Sequence, residues 1–297
     1  MSKKPIVDDS PYLVPDDGSF RVDKARTAPP KSAADDDVQK DRLRDEIAKL
    51  DDLQKILFAH DHHSVLLVFQ AMDAAGKDST IRAVLSGVNP AGCQVHAFKR
   101  PSSEELDHDF LWRTACRLPE RGRIGVFNRS YYEEVLAVKV HPQFLDAQGL
   151  STGKHPKKFL KKLWGQRYAS IRDHERHLAA NGTVIIKFWL NVSKEEQRQR
   201  FLARLNEPEK NWKFEAADVA EREHWDDYMQ AYEDALNETS RPWAPWYAIP
   251  ADSKPYMRAA VADIIVRTLE SMNLQYPVSS DEQLAQFAEL RKRLESE

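Results

Sequence analysis

The sequence predicts an α/β fold in which a parallel sheet is flanked by helices. Short, largely apolar runs with the character of buried strands lie at residues 65–69, 93–98, 124–127, 184–190 and 246–250. Segments with apolar residues at three- and four-residue spacing, which is typical of helices, separate these runs. Because strands and helices alternate along the chain, the strands are expected to run parallel in one sheet.

Helices are expected before, between and after these strands. Residues 41–58 form the predicted helix that leads into the first strand, and residues 280–297 form a predicted surface helix. One further helix is predicted to carry residues 108–113, and another is predicted to begin at about Ser130.

The segment after the first strand has the character of a phosphate-binding loop. Gly76 and Lys77 stand where a buried strand turns into a helix, so that backbone N–H groups and an ammonium can bind phosphate. The segment departs from G-x-x-x-x-G-K-[ST] because Ala71 replaces the first glycine and Asp78 replaces the hydroxyl residue. An ordinary tight turn is the alternative. The predicted phosphate-binding residues are Ala75, Gly76, Lys77, Asp78 and Ser79.

Two aspartates accompany this loop. A carboxylate beside phosphates repels them unless a cation lies between, so Asp73 is predicted to bind Mg²⁺ or to orient the attacking oxygen. A helix N-cap is the alternative for Asp73. For Asp78, stabilisation by the helix dipole is favoured over a metal role.

Asn128 and Arg129 follow the third strand, at the edge of the sheet where the phosphate loop is expected. Arg129 is predicted to bind phosphate. A salt bridge to Glu133 or Glu134, one turn further on, has equal weight on spacing alone.

Residues 147–172 contain no acidic residue but seven basic ones. Apolar residues at helical spacing share the segment, which predicts a helix with one buried and one cationic face. Such a face suits a polyanion, either nucleic acid or a long phosphate chain, and no nucleic-acid-binding motif is present. A solvated face is the alternative. The basic residues are Lys154, Lys157, Lys158, Lys161, Lys162, Arg167 and Arg172.

The helix after the fourth strand carries a second basic set. Arg200 and Arg204 are four residues apart and therefore share one helix face, from which they are predicted to close over a transferring phosphoryl group. Residues 206–218 lack a clear period, so residues 194–222 are interpreted as a helical lid. A plain charged helix is the alternative.

The length suits either one large domain or two small ones, of which one large domain is favoured, and the composition is that of a soluble protein. Of 297 residues, 41% are hydrophobic and 31% are charged. No apolar run has the length that spans a bilayer, and the first residues lack the apolar core of a signal peptide, so a cytoplasmic protein is expected. Cys93 and Cys116 indicate neither a disulfide framework nor a zinc site.

Residues 1–40 are predicted to be an extended N-terminal arm, because they contain five prolines, many aspartates and little periodicity. Apolar side chains such as Tyr12 and Phe20 are expected to attach this arm to the body or to a partner. Residues 41–297 are predicted to form a single domain built around the phosphate loop.

Five segments together resemble the type 2 polyphosphate kinases. They lie at residues 69–78, 87–90, 98–102, 108–113 and 127–133, and the resemblance covers about residues 40–272. It implies a P-loop kinase-like fold, similar to thymidylate kinase, with a helical lid. The departures in the phosphate loop resemble the third class of the family.

The resemblance also implies roles for single residues. The loop aspartate, the loop lysine and the second-motif arginine of the family fall on Asp73, Lys77 and Arg129. Asn128, where first-class members usually carry aspartate, resembles the third class, which accepts both nucleoside mono- and diphosphates. Ser79 departs from the small residue expected there. The residues expected to bind the nucleotide are Lys99, Arg113, Asn128 and Glu133.

The expected function is Mg²⁺-dependent, reversible transfer of the terminal phosphoryl group of inorganic polyphosphate to AMP or ADP, with Mn²⁺ as a second candidate metal. A homo-oligomer, either a dimer or a tetramer, is expected from the resemblance alone; neither nucleic acid nor a membrane is an expected partner. An ATP-dependent nucleoside monophosphate kinase and a non-catalytic polyanion-binding module are the alternatives.

Overall fold

A computed structural model describes residues 7–150, 154–213 and 216–297. Within these residues, five parallel strands form one sheet in the order β2-β3-β1-β4-β5. The predicted α/β fold with a parallel sheet is confirmed. The strands are β1 (Ser64–Gln70), β2 (Cys93–Ala97), β3 (Ile124–Asn128), β4 (Thr183–Asn191) and β5 (Trp246–Pro250).

Helices surround this sheet. Among the larger ones, α1 packs against α11, α7 packs against β4, and α10 packs against α7. The helices are α1 (Asp36–His60), α2 (Lys77–Val84), α3 (Ser103–Leu106), α4 (Trp112–Ala115), α5 (Ala137–Val140), α6 (Phe144–Ala147), α7 (Lys157–Ala180), α8 (Lys194–Asn206), α9 (Ala216–Glu221), α10 (Trp225–Thr239), α11 (Lys254–Ser271) and α12 (Asp281–Glu295).

The central strand β1 fixes the position of the site. Every residue of β1 is buried, because its neighbours β3 and β4 cover both edges and the side chains of residues 65–69 are apolar on both faces. Phe69 near the end of β1 stands opposite Asn128 at the end of β3. The segments that leave these two strands therefore start side by side at the carboxyl edge of the sheet.

Three helix predictions need correction. Helix α1 begins at Asp36 rather than at residue 41, because the Asp35 carboxylate caps its N-terminus by accepting from the N–H groups of Asp37 and Val38. The single helix expected around residues 108–113 is two separate one-turn helices, α3 and α4. The segment after Ser130 is a 3₁₀ helix, Tyr131–Val135, followed by the short α5.

The N-terminal segment lies along the sheet rather than apart from it. Leu13 pairs antiparallel with Tyr247 of β5, and the Val14 N–H donates to the Trp246 carbonyl at 2.9 Å. Val14 and Val7 are buried in the core. This segment therefore covers the outer edge of β5, which would otherwise present unpaired backbone groups.

Helix α12 has no buried residue. Among the described residues, no helix is both long enough and apolar enough to pass through a membrane.

Candidate active site

The phosphate loop connects β1 to α2 through two residues in the left-handed region. Ala74 has φ +61°, and Gly76, the N-cap of α2, has φ +107°. Glycine is therefore the residue that this turn favours, and the turn directs the N–H groups of the first helical turn out of the helix end.

Lys77 is folded back onto the loop. Its Nζ donates to the Ala71 carbonyl at 2.6 Å and lies 3.5 Å from the Met72 carbonyl, and its side chain is only 8% exposed. Burial, followed by the positive charge of Arg129, lowers the pKa of Lys77 below its usual value. The ammonium is thus bonded to neutral acceptors that phosphate oxygens can replace.

Arg129 joins the second motif to the loop. Its Nη2 donates to Asp73 Oδ1 at 2.8 Å, and its Nη1 lies 3.9 Å from Glu133 Oε2. Glu133 first and Asp73 next raise the pKa of Arg129 further above its usual value. Of the two carboxylates that the spacing offered, Glu133 therefore lies near Arg129, whereas Glu134 pairs with Arg167 instead. The contact with Asp73 was not predicted.

Asp73 is not a helix N-cap, because Gly76 occupies that position. Asp78 lies in the first turn of α2, as expected, and its Oδ1 accepts a hydrogen bond from the Asn128 amide. The loop and the residues after β3 are thus joined twice, once by Arg129 and Asp73 and once by Asn128 and Asp78.

Two of the expected phosphate-binding residues use their donors within the loop. The Ala75 N–H donates to the Met72 carbonyl at 3.2 Å, and the Ser79 hydroxyl donates to the Gly76 carbonyl at 3.0 Å. Either donor would have to leave its present partner before it could bind phosphate.

Arg200 does not share an outward face with Arg204, and this prediction needs correction. The Arg200 guanidinium is buried and donates to the carbonyls of Ala75, at 2.7 Å, and Ala251, at 2.6 Å, while its Nε bonds to Glu196. Its donors are therefore used to hold the loop backbone. Arg204 stands apart, 3.5 Å from Asp218 and over the Phe201 ring.

Gln197 was not predicted as a site residue. Its Nε2 donates to the Asp73 carbonyl at 2.8 Å, so Gln197 and Arg200, three residues apart on α8, both hold the phosphate loop. The spacing was visible in the sequence, but an uncharged glutamine gave no signal of its own.

Arg113 lies between two cavities beside the site. It donates to the Lys99 carbonyl at 2.8 Å and stacks over the Phe98 ring. One cavity, of about 380 Å³, is lined by Lys99 and Arg113, and the other, of about 270 Å³, by Arg113, Phe110 and Glu134. Asn128 and Glu133, the other expected nucleotide ligands, lie next to Arg129 instead.

The cationic character of α7 is confined to its N-terminal end. Arg167, which was expected on the cationic face, is buried and pairs with Glu134 at 3.0 Å, and Arg172 pairs with Glu238 at 2.8 Å. The exposed lysines at the start of α7 form no ion pair with any carboxylate of the described residues. They are Lys157, Lys158, Lys161 and Lys162, and exposed Lys154 lies three residues before the first residue of this helix.

Comparison with known proteins gives the family. A family model for polyphosphate kinase 2 (PPK2) matches residues 33–277. This chain belongs to the polyphosphate kinase 2 family.

Individual relatives agree with this family. The chain is 57% identical, over 85% of its length and 86% of the relative's, to an ADP-polyphosphate phosphotransferase of Rhodopseudomonas palustris. It is 47% identical, over 77% of its length and 80% of the relative's, to an AMP/ADP-polyphosphate phosphotransferase of Meiothermus ruber. The crystal structure of polyphosphate kinase 2 from Arthrobacter aurescens TC1 superimposes with a TM-score of 0.83, at 37% identity, and covers 92% of this chain and 93% of that one. The fold is thus the P-loop kinase-like fold of polyphosphate kinase 2.

The carboxylates of this family member fit Mg²⁺ only if substrate completes the coordination. The described residues contain no group of three or more histidine, cysteine or acidic side chains placed to hold a metal. Mg²⁺ is commonly held by one or two carboxylates together with substrate phosphates and water. Asp73, which is part exposed and has one oxygen on Arg129, suits that arrangement.

Proposed function

We propose that this chain transfers the terminal phosphoryl group of inorganic polyphosphate to nucleoside mono- and diphosphates, reversibly. The observation that carries the proposal is the phosphate loop of a polyphosphate kinase 2 family member in which Lys77 lies beside the Asp73–Arg129 pair. These charges lie where the phosphates of donor and acceptor would meet, at the carboxyl ends of β1 and β3.

The donor chain is proposed to lie along the exposed lysines of α7 and to end at the phosphate loop. Lys77 would exchange its carbonyl partners for phosphate oxygens, and Arg129 would neutralise the charge that develops on the transferring group. An oxygen of the acceptor would attack the terminal phosphorus in line. Positioning and charge neutralisation supply most of the catalysis in such transfers, so no covalent intermediate is required.

Asp73 is proposed as the protein ligand of Mg²⁺, or of Mn²⁺, which when bound would neutralise phosphate charge between donor and acceptor. The two cavities at Arg113 are proposed to receive the nucleotide, together with Asn128 and Glu133 beside Arg129. Use of both AMP and ADP is supported by the name of the relative from Meiothermus ruber.

Residues 194–222 are proposed as a lid, of which residues 214–215 lie outside the described residues. Gln197 and Arg200 attach its first helix to the phosphate loop, so the part beyond Arg204 is the part proposed to move. The division into an N-terminal arm and one domain, the cytoplasmic location and the dimer or tetramer are kept as proposals. Sedimentation velocity tests the last of these.

The test of the site is an assay of Asp73→Asn and Arg129→Ala proteins with Mg²⁺, polyphosphate and ADP. We expect each to lose about 10³-fold in the rate of ATP formation, because each removes charge used in the transition state. Circular dichroism checks that both variants are folded. A folded variant with full transfer activity would exclude the assigned role.

A further inference from the structure

A buried polar network lies away from the phosphate loop and takes no part in the chemistry proposed above. At its centre, Lys187 of β4 and Glu175 of α7 are both fully buried, and Lys187 Nζ lies 2.7 Å from Glu175 Oε2. A fully buried lysine in the middle of a sheet strand is unusual, because burial of an ammonium is costly unless it is paired.

Two adjacent tyrosines complete the network. The hydroxyls of Tyr131 and Tyr132 both lie 2.9 Å from Glu175 Oε1. Lys187 Nζ also donates to the Tyr132 hydroxyl and to the Thr239 carbonyl, each at 2.8 Å. The ion pair therefore joins α7, β4 and the end of α10 to the segment that contains the two tyrosines.

This segment follows Arg129 directly. Arg129 has φ +63°, a left-handed conformation that is strained for any residue other than glycine. Such a conformation persists only where the surroundings hold it. On the strand side, the Arg129 N–H donates to the Phe69 carbonyl at 3.1 Å, and on the other side Ser130 Oγ accepts from the Tyr132 N–H at 3.2 Å.

Stability alone does not explain an ion pair at this place. Replacement of a buried ion pair by apolar residues of similar volume is often neutral or stabilising. Unlike apolar residues, the ion pair forms directional hydrogen bonds with the hydroxyls of two rigid rings, those of Tyr131 and Tyr132. Those rings are one and two positions away from Ser130, and so fix the backbone that leaves Arg129.

We infer that the Glu175–Lys187 pair, acting through Tyr131 and Tyr132, is a positioning device that holds the strained turn at Arg129 and so aims its guanidinium at Asp73 and the transferring phosphoryl group. This inference rests on the proposed function. The four residues of the device contact no substrate; they act on the reaction only through Arg129.

The first test replaces the pair by apolar residues in Glu175→Leu/Lys187→Met. We expect the folded protein to lose between about tenfold and about a hundredfold in kcat for ATP formation, because a small misplacement of a catalytic group has an effect of that size. The KM for polyphosphate should stay unchanged, since the exposed lysines at the other end of α7 are intact. A folded double variant with wild-type kcat would overturn the inference.

A second variant covers the case in which the double variant fails to fold. Tyr132→Phe removes a single hydroxyl and keeps the ring, and we expect the same selective loss in kcat. The matched control is Tyr247→Phe, in which a buried hydroxyl that accepts from the Val7 N–H, far along the chain from Arg129, is removed. Equal kcat losses in the two tyrosine variants would indicate a general structural effect and contradict the inference.

The third measurement asks whether the effect passes through Arg129. In an Arg129→Ala background, Tyr132→Phe should cause no further loss in kcat, because the group that it positions is absent. Independent, multiplicative losses would overturn the inference. Failure of the proposed function is distinguishable, since the wild-type protein would then form no ATP from polyphosphate and ADP.

Discussion

Lys77 and Lys187 are both buried lysines, 8% and 0% exposed, and the charge of their partners separates their roles. Burial lowers the pKa of both, that of Lys187 to about 8. Lys77 bonds to the neutral carbonyls of Ala71 and Met72, whereas Lys187 bonds to the Glu175 carboxylate. The charge of Lys77 therefore remains available to an incoming phosphate, and the charge of Lys187 is already neutralised.

The largest effect on stability is expected for Lys187→Met. This change leaves the buried Glu175 carboxylate without its cation, which should lower the free energy of unfolding by about 3–5 kcal/mol. Urea-induced unfolding measures it. The double variant Glu175→Leu/Lys187→Met should recover most of the lost free energy of unfolding. If Lys187→Met is as stable as the wild type, Lys187 does not neutralise the Glu175 carboxylate.

Lys77→Met should show the opposite pattern. No carboxylate loses a direct partner, so the free energy of unfolding should change little, while kcat falls by about 10²–10³-fold because a phosphate-binding charge is lost. Steady-state assays and urea unfolding on the same sample check the two parts. If Lys77→Met loses stability but keeps its kcat, Lys77 has a structural role like that of Lys187, and the distinction between the two lysines is wrong.

A smaller effect is expected at the start of α7, where lysines are exposed rather than buried. Lys157→Gln/Lys158→Gln/Lys161→Gln should raise the KM for long-chain polyphosphate about tenfold at low salt and weaken its salt dependence, with kcat unchanged.

The matched control for this triple variant is Arg291→Gln/Lys292→Gln/Arg293→Gln, which removes the same charge from the exposed helix α12. An equal rise in KM for both triple variants would mean that net charge, rather than the α7 surface, attracts the donor.

The smallest effect concerns pH. Because burial lowers the pKa of Lys187 to about 8, the folded protein releases this proton at a lower pH than the unfolded chain does. The unfolded state then binds more protons, so stability rises with pH, by less than about 1 kcal/mol between about pH 7 and about pH 8.5. Urea unfolding across this range should show the rise in the wild type and not in Glu175→Leu/Lys187→Met. If the wild type and the double variant show the same pH dependence of stability, Lys187 is not its source.

The parts of the fold that depend on local sequence pattern could be predicted from the sequence. Apolar runs gave all five strands, and the strand–helix junction at Gly76 gave the phosphate loop. The sequence also placed the segment of Arg129 beside the phosphate loop, since both segments leave the carboxyl edge of a parallel sheet. The hydrogen bond between Arg129 and Asp73 was not predicted. No comparable local pattern in the sequence predicts the order of the strands across the sheet.

Partners far apart in the chain were not predictable from spacing. Arg167 lacked an acidic neighbour in sequence, yet Glu134, 33 residues earlier, neutralises it in the fold. Lys187 lay inside an apolar strand pattern that gave no indication of Glu175 beneath it. Arg200 was placed on the correct helix, but a four-residue spacing cannot tell an outward face from one that holds the phosphate loop.

The most direct test of polyphosphate as the phosphoryl donor is a change of donor. Purified protein with Mg²⁺ is given either long-chain polyphosphate or ATP as donor and AMP or ADP as acceptor, and nucleotides are separated by chromatography. We expect ADP from AMP and ATP from ADP with polyphosphate, and both products to form about 10²–10³-fold more slowly in Lys77→Met. Product from ATP and AMP but none from polyphosphate would contradict it and indicate an ATP-dependent nucleoside monophosphate kinase, and polyphosphate binding without any product would indicate a non-catalytic module.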